Sequence, residues 1–174
     1  MTKYNVDQAH SHLGFQVKHM MISKVKGNFG SFTADIDANP EDLTGASIKF
    51  VIDVASVNSN NEDRDNHLKS AEFFDVEQFP KMTFVATNIK STGGGEYEIT
   101  GDFTIKDVTK SVTFEAEYGG KGTNPWGQEV VGFEAETKIN RKDFGLTWNA
   151  ALETGGVLVG DDIKINIELE ANPA

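Results

Sequence analysis

The chain has no cysteine, so disulfides, zinc–thiolate centres and a cysteine nucleophile are all excluded. Proline is scarce, at four residues, and so are tryptophan, at two, and tyrosine, at three. Positive charge is the minority sign: 16 lysines and arginines stand against 27 acidic residues, giving a net charge of −11. A nucleic-acid binder shows the opposite balance, gathered in patches. The same charge is repelled by anionic lipid headgroups, and its plain reading is a surface kept in solution. No run of about 18 apolar residues exists to span a bilayer. Met1 to Asp7 contains no apolar stretch of the kind that opens a secretory leader, so the chain is expected in the cytoplasm. Nucleophile elbow, P-loop and dinucleotide fingerprint are likewise missing. Gly93-Gly94-Gly95 has no helix pattern behind it to hold a phosphate. The chain is therefore read as a binding protein rather than an enzyme, with no cofactor.

Phenylalanine is the abundant aromatic, at twelve residues. It fills apolar space without a polar atom to satisfy, so a dry aromatic interior is expected. The 174 residues suit one domain, spanning 1–174, and suffice for a real core.

Period-2 alternation recurs along nearly the whole chain. Leu13, Phe15 and Val17 open it, followed by Phe32, Ala34 and Ile36, then Ile48, Phe50 and Ile52, then Met82, Phe84 and Ala86. Tyr97, Ile99, Phe103 and Ile105 come next, then Val112, Phe114, Ala116 and Tyr118, then Val131, Phe133, Ala135 and Ile139. Ile163, Ile165, Ile167 and Leu169 close the series. Each segment puts an apolar row on one face and a polar row on the other. About eight strands result, with turn signals at Asn39-Pro40, Gly93-Gly94-Gly95, Gly119-Gly120 and Gly160-Asp161-Asp162. Short connections favour antiparallel neighbours. A sandwich and a barrel both fit. The barrel is favoured because strong first and last strands would leave two long open edges, and because Gly30, Gly101 and Gly132 interrupt strands where corners and bulges fall.

One stretch breaks the pattern. Ser59-Asn60-Asn61-Glu62 reads as a capping box, with Ser59 at the N-cap. A short helix is expected near 60–72, with acids at its start, Lys69 at its end, and Arg64, His67 and Leu68 on one face. Phe73, Phe74, Val76 and Phe79 follow and need an apolar surface to cover.

These segments carry a family resemblance. They are Asp7-Gln8-Ala9-His10-Ser11, Phe15-Gln16-Val17-Lys18-His19-Met20, Val25-Lys26-Gly27-Asn28-Phe29, the run from Arg64 to Val76, Gly101 to Lys110, Asn140-Arg141-Lys142-Asp143-Phe144-Gly145 and Val159-Gly160-Asp161. In order and spacing, from Tyr4 to Glu170, they resemble the YceI-like, polyisoprenoid-binding family. The resemblance implies an all-β, eight-stranded antiparallel lipocalin-like barrel. It also implies a ligand: a long isoprenoid chain, as in a polyprenyl phosphate or an isoprenoid quinone. Many members carry a leader and are periplasmic, a pattern from which this chain departs.

Candidate site residues follow. Phe15, Val17, Met20, Phe29, Phe50, Phe84, Phe103, Phe114, Phe133 and Ile165 are expected to line the apolar interior; the pattern alone fits a filled core equally well, and the resemblance favours a tunnel. His19, Arg64 and His67 are expected at the head group, although Arg64 and Asp65 would serve as well to tie the helix to neighbouring strands. Arg141 is expected to organise a strand end through Asp143 or a carbonyl. His10 and His12 lack a third ligand at a telling spacing, so no metal is expected. Val51 and Val85, apolar on otherwise polar faces, suggest a homodimer surface. The alternatives are an enzyme acting on an apolar substrate and a stress-linked partner-binding module with a filled core.

Overall fold

The computed structural model describes residues 1–153 and 155–174. Among them are eleven strand segments. β1 is Thr2–Val6, β2 His12–His19, β3 Ser23–Phe29, β4 Phe32–Asn39, β5 Asp42–Asp53 and β6 Val57–Asn58. β7 is Lys81–Gly93, β8 Glu96–Ile105, β9 Val108–Thr123, β10 Glu129–Asn140 and β11 Val159–Pro173. All pairings between these strands are antiparallel.

Two of the barrel staves are bent strands. β1 and β2 lie end to end along the same side of β11: Val6 faces Ala171 and Leu13 faces Ile167. A single 3₁₀ turn at Gln8–His10, capped by the Asp7 side chain, separates them. β3 and β4 form the next stave, broken at Gly30-Ser31, with β3 on β2 and β4 on β1. β5, β7, β8, β9, β10 and β11 complete a ring of eight, closed where β11 returns to β1 and β2. Closure removes the two open edges that a sandwich would leave. One place where consecutive staves part is beside β3. It pairs with the two-residue β6 and makes no ladder with β5.

The expected alternation holds inside the ring. Phe50, Ile52, Met82, Phe84, Phe103, Ile105, Val112 and Phe114 are buried in one cluster. Two bulges adjust it. One between Ala86 and Asn88 shifts the register of β7 before Ile89 buries itself, and one at Gly132–Phe133 bends β10. Gly101 points inward where Phe84 crosses: a Cβ there would stand 2.5 Å from the ring and 2.5 Å from the Val85 carbonyl oxygen. A glycine is required for that close approach.

Three local expectations fail. Gly119-Gly120 lies inside β9, and the turn comes at Asn124–Gln128, where the Asn124 side chain accepts from the Trp126 and Gln128 N–H groups. Gly160-Asp161-Asp162 belongs to β11, at an irregular register between Val159 and Ile163. The helix α1 spans Glu62–Lys69, and its N-cap is Asn61, whose side chain accepts from the Arg64 N–H. Ser59 is buried two residues earlier, satisfied by Asp65 and Arg64.

The outer face of β8–β11 carries a grid of carboxylates. Glu96, Glu117, Glu134 and Glu168 stand directly opposite one another in one cross-strand row, and Glu98, Glu115 and Glu136 in the next.

Candidate functional site: an apolar cavity with one furnished mouth

The interior is hollow. A cavity of about 330 Å³ runs within the ring, inside the range of about 300–1,000 Å³ typical of small-molecule sites and near its lower limit. Ile163, Ile165, Ile167 and Leu169 on β11 and Phe15 and Val17 on β2 all face inward, yet they are only partly buried, because they border this space. An eight-stranded ring is just wide enough to be filled by side chains or to hold one slim ligand. Here Ala135 stands at an inward, partly buried position on the cavity wall, where a larger residue would fill the centre.

One end is packed. Ala38, Leu43, Ile89, Tyr97 and Ala116 form a buried cluster there, next to Tyr4, Val131 and Ala171. The Leu43 N–H donates to the Tyr97 hydroxyl at 3.4 Å. The opposite end carries α1, the Phe73-Phe74 segment, Leu146, Trp148 and Leu158, and the tip of the β2–β3 hairpin.

The residues expected at the apolar lining are brought together. Phe15, Val17, Phe29, Phe50, Phe84, Phe103, Phe114, Phe133 and Ile165 all border the cavity. Phe84 is edge-on to Phe103 and Phe114, at 6.2 and 5.2 Å between centroids, an arrangement the ring quadrupole favours. Met20 is the exception. It sits in the turn after β2 at φ 54°, 41% exposed, outside the lining. The turn aims its side chain at solvent, which alternation along β2 could not reveal.

His19, Arg64 and His67 border the mouth, but two of them are already engaged. Arg64 donates through Nε to the Ser59 hydroxyl at 2.8 Å and through Nη2 to the Ser59 carbonyl at 2.7 Å. Asp65 accepts from the Ser59 N–H at 2.8 Å. Arg64 and Asp65 thus clamp the helix to the segment that leaves β6. His67 pairs through Nε2 with Glu72 at 2.7 Å. Its ring packs edge-on to Phe73 and Trp148, with centroids 5.0 and 4.6 Å away.

Trp148 and its loop carry no periodicity by which the sequence could mark them; the loop is held from behind by Arg141. That side chain is 2% exposed. It donates to the carbonyls of Gly160 at 2.8 Å, of Trp148 at 3.0 Å and of Leu146. Carbonyls, not Asp143, are its partners. Burial pushes the guanidinium below its ordinary pKa, with the nearby Asp161 charge opposing the shift.

His10 lies outside the cavity, at the 3₁₀ turn. Its Nδ1 is 2.8 Å from Asp7 Oδ2, and Glu170 is close enough to complete a three-residue group that could hold a metal ion. His12 is not part of it. No helix among the described residues is long and apolar enough to cross a membrane.

Residues 4–171 match the model of the YceI-like domain. The chain belongs to the YceI-like family. A UPF0312 protein of Staphylococcus epidermidis is 44% identical over 171 residues, covering 98% of this chain and 97% of the relative. The Campylobacter jejuni YceI protein superposes with a TM-score of 0.77 at 38% identity, covering 100% of this chain and 99% of that one. A polyisoprenoid-binding domain from Saccharophagus degradans, 12% identical, covers 100% of both chains with a TM-score of 0.72 and shares the fold. The barrel expected from the resemblance is thus the barrel observed.

Proposed function

We propose that this YceI-like barrel binds the isoprenoid tail of a lipid in its cavity and carries or stores it without chemical change. The observation that carries this reading is the cavity itself, lined almost wholly by carbon, packed at one end and furnished at the other. Left empty, a void of 330 Å³ would cost about 8 kcal/mol at roughly 24 cal/mol per Å³. That is comparable to the whole stability of an ordinary domain. A space of that size is tolerable where a ligand fills it for part of the protein's life. The Saccharophagus domain, described as polyisoprenoid-binding, supports the choice of tail. The mouth argues for tail-directed recognition, because Arg64 and His67 spend most of their polar atoms on Ser59 and Glu72. A polyprenyl phosphate and an isoprenoid quinone both meet these requirements.

A titration of lipids sharing one head group and differing in tail length tests the proposal. Affinity should climb steeply with length, each buried CH₂ contributing about 0.8 kcal/mol, and then level off once the tail outgrows the cavity. Arg64→Ala and His67→Ala should weaken binding only modestly, by about 1–2 kcal/mol. Affinity indifferent to length and abolished by either substitution would overturn the reading in favour of a head-directed site.

A further inference from the structure

The tip of the β2–β3 hairpin is built against local preference. Met20 and Met21 both occupy the left-handed region, at φ 54° and 63°, and the Ile22 N–H closes the turn on the His19 carbonyl at 3.2 Å. Asparagine and glycine adopt that conformation cheaply, whereas side chains such as Met pay about 1–2 kcal/mol per residue. Nor do these residues hide. Met20, Met21 and Ile22 are 41, 60 and 85% exposed. Three large apolar side chains are thus displayed on a strained turn at the edge of the cavity mouth. The Met20 N–H bonds the Leu158 carbonyl at 2.8 Å, fixing the tip to the mouth loop.

Charge gives the tip its surroundings. From Gln8 to Ala34 the chain contains no carboxylate, although the whole carries 27, and it contains Lys18, Lys24 and Lys26. All three are exposed, with Lys18 directly across from Lys24. Lys3, Lys81, Lys121, Lys138, Lys142 and Lys164 each reach a carboxylate. Among the described residues Lys18, Lys24 and Lys26 do not; Lys49, Lys69, Lys90, Lys106 and Lys110 do not either, but none of these lies on the β2–β3 hairpin. The carboxylate grid on β8–β11 lies away from this tip, and the nearer carboxylates of β11, Asp161 and Asp162, are paired with Lys142 and Lys138. Glu168 is nine residues along β11 from Val159, which faces His19, or roughly 30 Å at the strand rise.

We propose that the β2–β3 hairpin tip is a docking element for an anionic lipid bilayer: Met20, Met21 and Ile22 enter the headgroup–acyl boundary, and Lys18, Lys24 and Lys26 meet lipid phosphates. The cavity mouth is thereby set against the membrane from which a lipid tail would come. The carboxylate grid, repelled by the same surface, turns the barrel so that the mouth faces inward. The net charge of −11 weakens the attachment and keeps it reversible. The purpose of docking rests on the tail-binding reading, but the docking itself needs no isoprenoid.

Flotation of the full chain with vesicles of phosphatidylglycerol or of phosphatidylcholine tests it. Binding is expected to phosphatidylglycerol and to fall with added salt. Lys24→Gln with Lys26→Gln should weaken it about twenty-five-fold, at roughly fivefold for each lysine. Met21→Ser with Ile22→Ser should also release the protein, and Met21→Trp should show blue-shifted emission on vesicles. Melting curves of each variant report whether the fold is intact, and Trp126→Ser, in the Asn124–Gln128 turn at the other end of the barrel, should bind vesicles like the parent chain. Absence of binding to phosphatidylglycerol, equal binding to both vesicles, or binding that survives both double variants would overturn the proposal. The tail-length titration, run without vesicles, stands or falls separately.

Discussion

The His67 imidazole stands edge-on to the Trp148 indole, with centroids 4.6 Å apart and planes at 86°. One residue belongs to α1 and the other to the loop after β10, so their contact bridges the two elements that border the mouth. Phe73 completes the group, 5.4 Å from Trp148.

Trp148→Ala should therefore loosen the mouth more than the barrel. Ligand dissociation is expected to accelerate about tenfold, the scale of one aromatic contact of about 1 kcal/mol or slightly more, with little change in melting temperature. The check is a stopped-flow measurement of ligand release. An unaltered release rate would show that the aromatic contact does not limit passage.

Arg141→Ala should behave differently. The buried guanidinium satisfies the carbonyls of Leu146, Trp148 and Gly160, and its loss leaves several acceptors without a donor. A destabilisation of about 3 kcal/mol or more is expected. Arg141→Lys should recover only part of it, since an ammonium cannot reproduce the planar fork. Denaturant melts of both variants measure this directly.

Ala135→Phe fills the space that the tail is proposed to occupy. Ala135 faces inward on the cavity wall, so the added ring meets a void rather than packed atoms. Stability should hold or rise while tail binding is lost. A stable variant that still binds a long tail with parental affinity would place the ligand elsewhere.

His10 and Asp7 titrate against each other. The hydrogen bond that the His10 Nδ1–H donates to the Asp7 carboxylate raises the His10 pKa above 6.5 and lowers that of the Asp7 carboxyl below 3.8. The raised histidine stabilises fully below its unfolded pKa, and its contribution disappears as pH rises through the folded value. The lowered carboxyl stabilises above its unfolded pKa, and its contribution disappears as pH falls through the folded value. The pair thus supports the fold mainly between about pH 4 and 6.5. Histidine resonances followed by NMR should show the His10 midpoint above 6.5 and returning toward it in Asp7→Asn.

Much of this molecule was legible in its sequence, for identifiable reasons. Alternation from Leu13 to Leu169 reports the inward row, because a strand's side-chain period is fixed by its backbone. Acids before basic residues mark α1 to within two or three residues at each end. What escaped notice has no such period. Gly119-Gly120 resembles a turn but continues β9, because the ladder with β10 supplies the order that two glycines lack. Ser59 and Asn61 are both good capping residues, and the cap falls at Asn61 because Ser59 is taken up by Asp65 and Arg64. Trp148 reaches the mouth through a loop positioned by carbonyl bonds to Arg141, a dependence no spacing rule encodes. The cavity, finally, is a matter of volumes: an alternating pattern describes a filled barrel and a hollow one alike.

The parting of β3 from β5 has a dynamic consequence. β4 is stitched to β5, whereas among the described residues the far edge of β3 is paired by Val57 and Asn58 alone. Slow opening should begin at this seam, so amide hydrogens of Ser23–Phe29 that face β6 should exchange faster than those of β8 and β9. The seam lies beside the mouth, next to the Met20–Ile22 tip. A barrel that unzips there would widen its entrance while the remaining ladders stay intact.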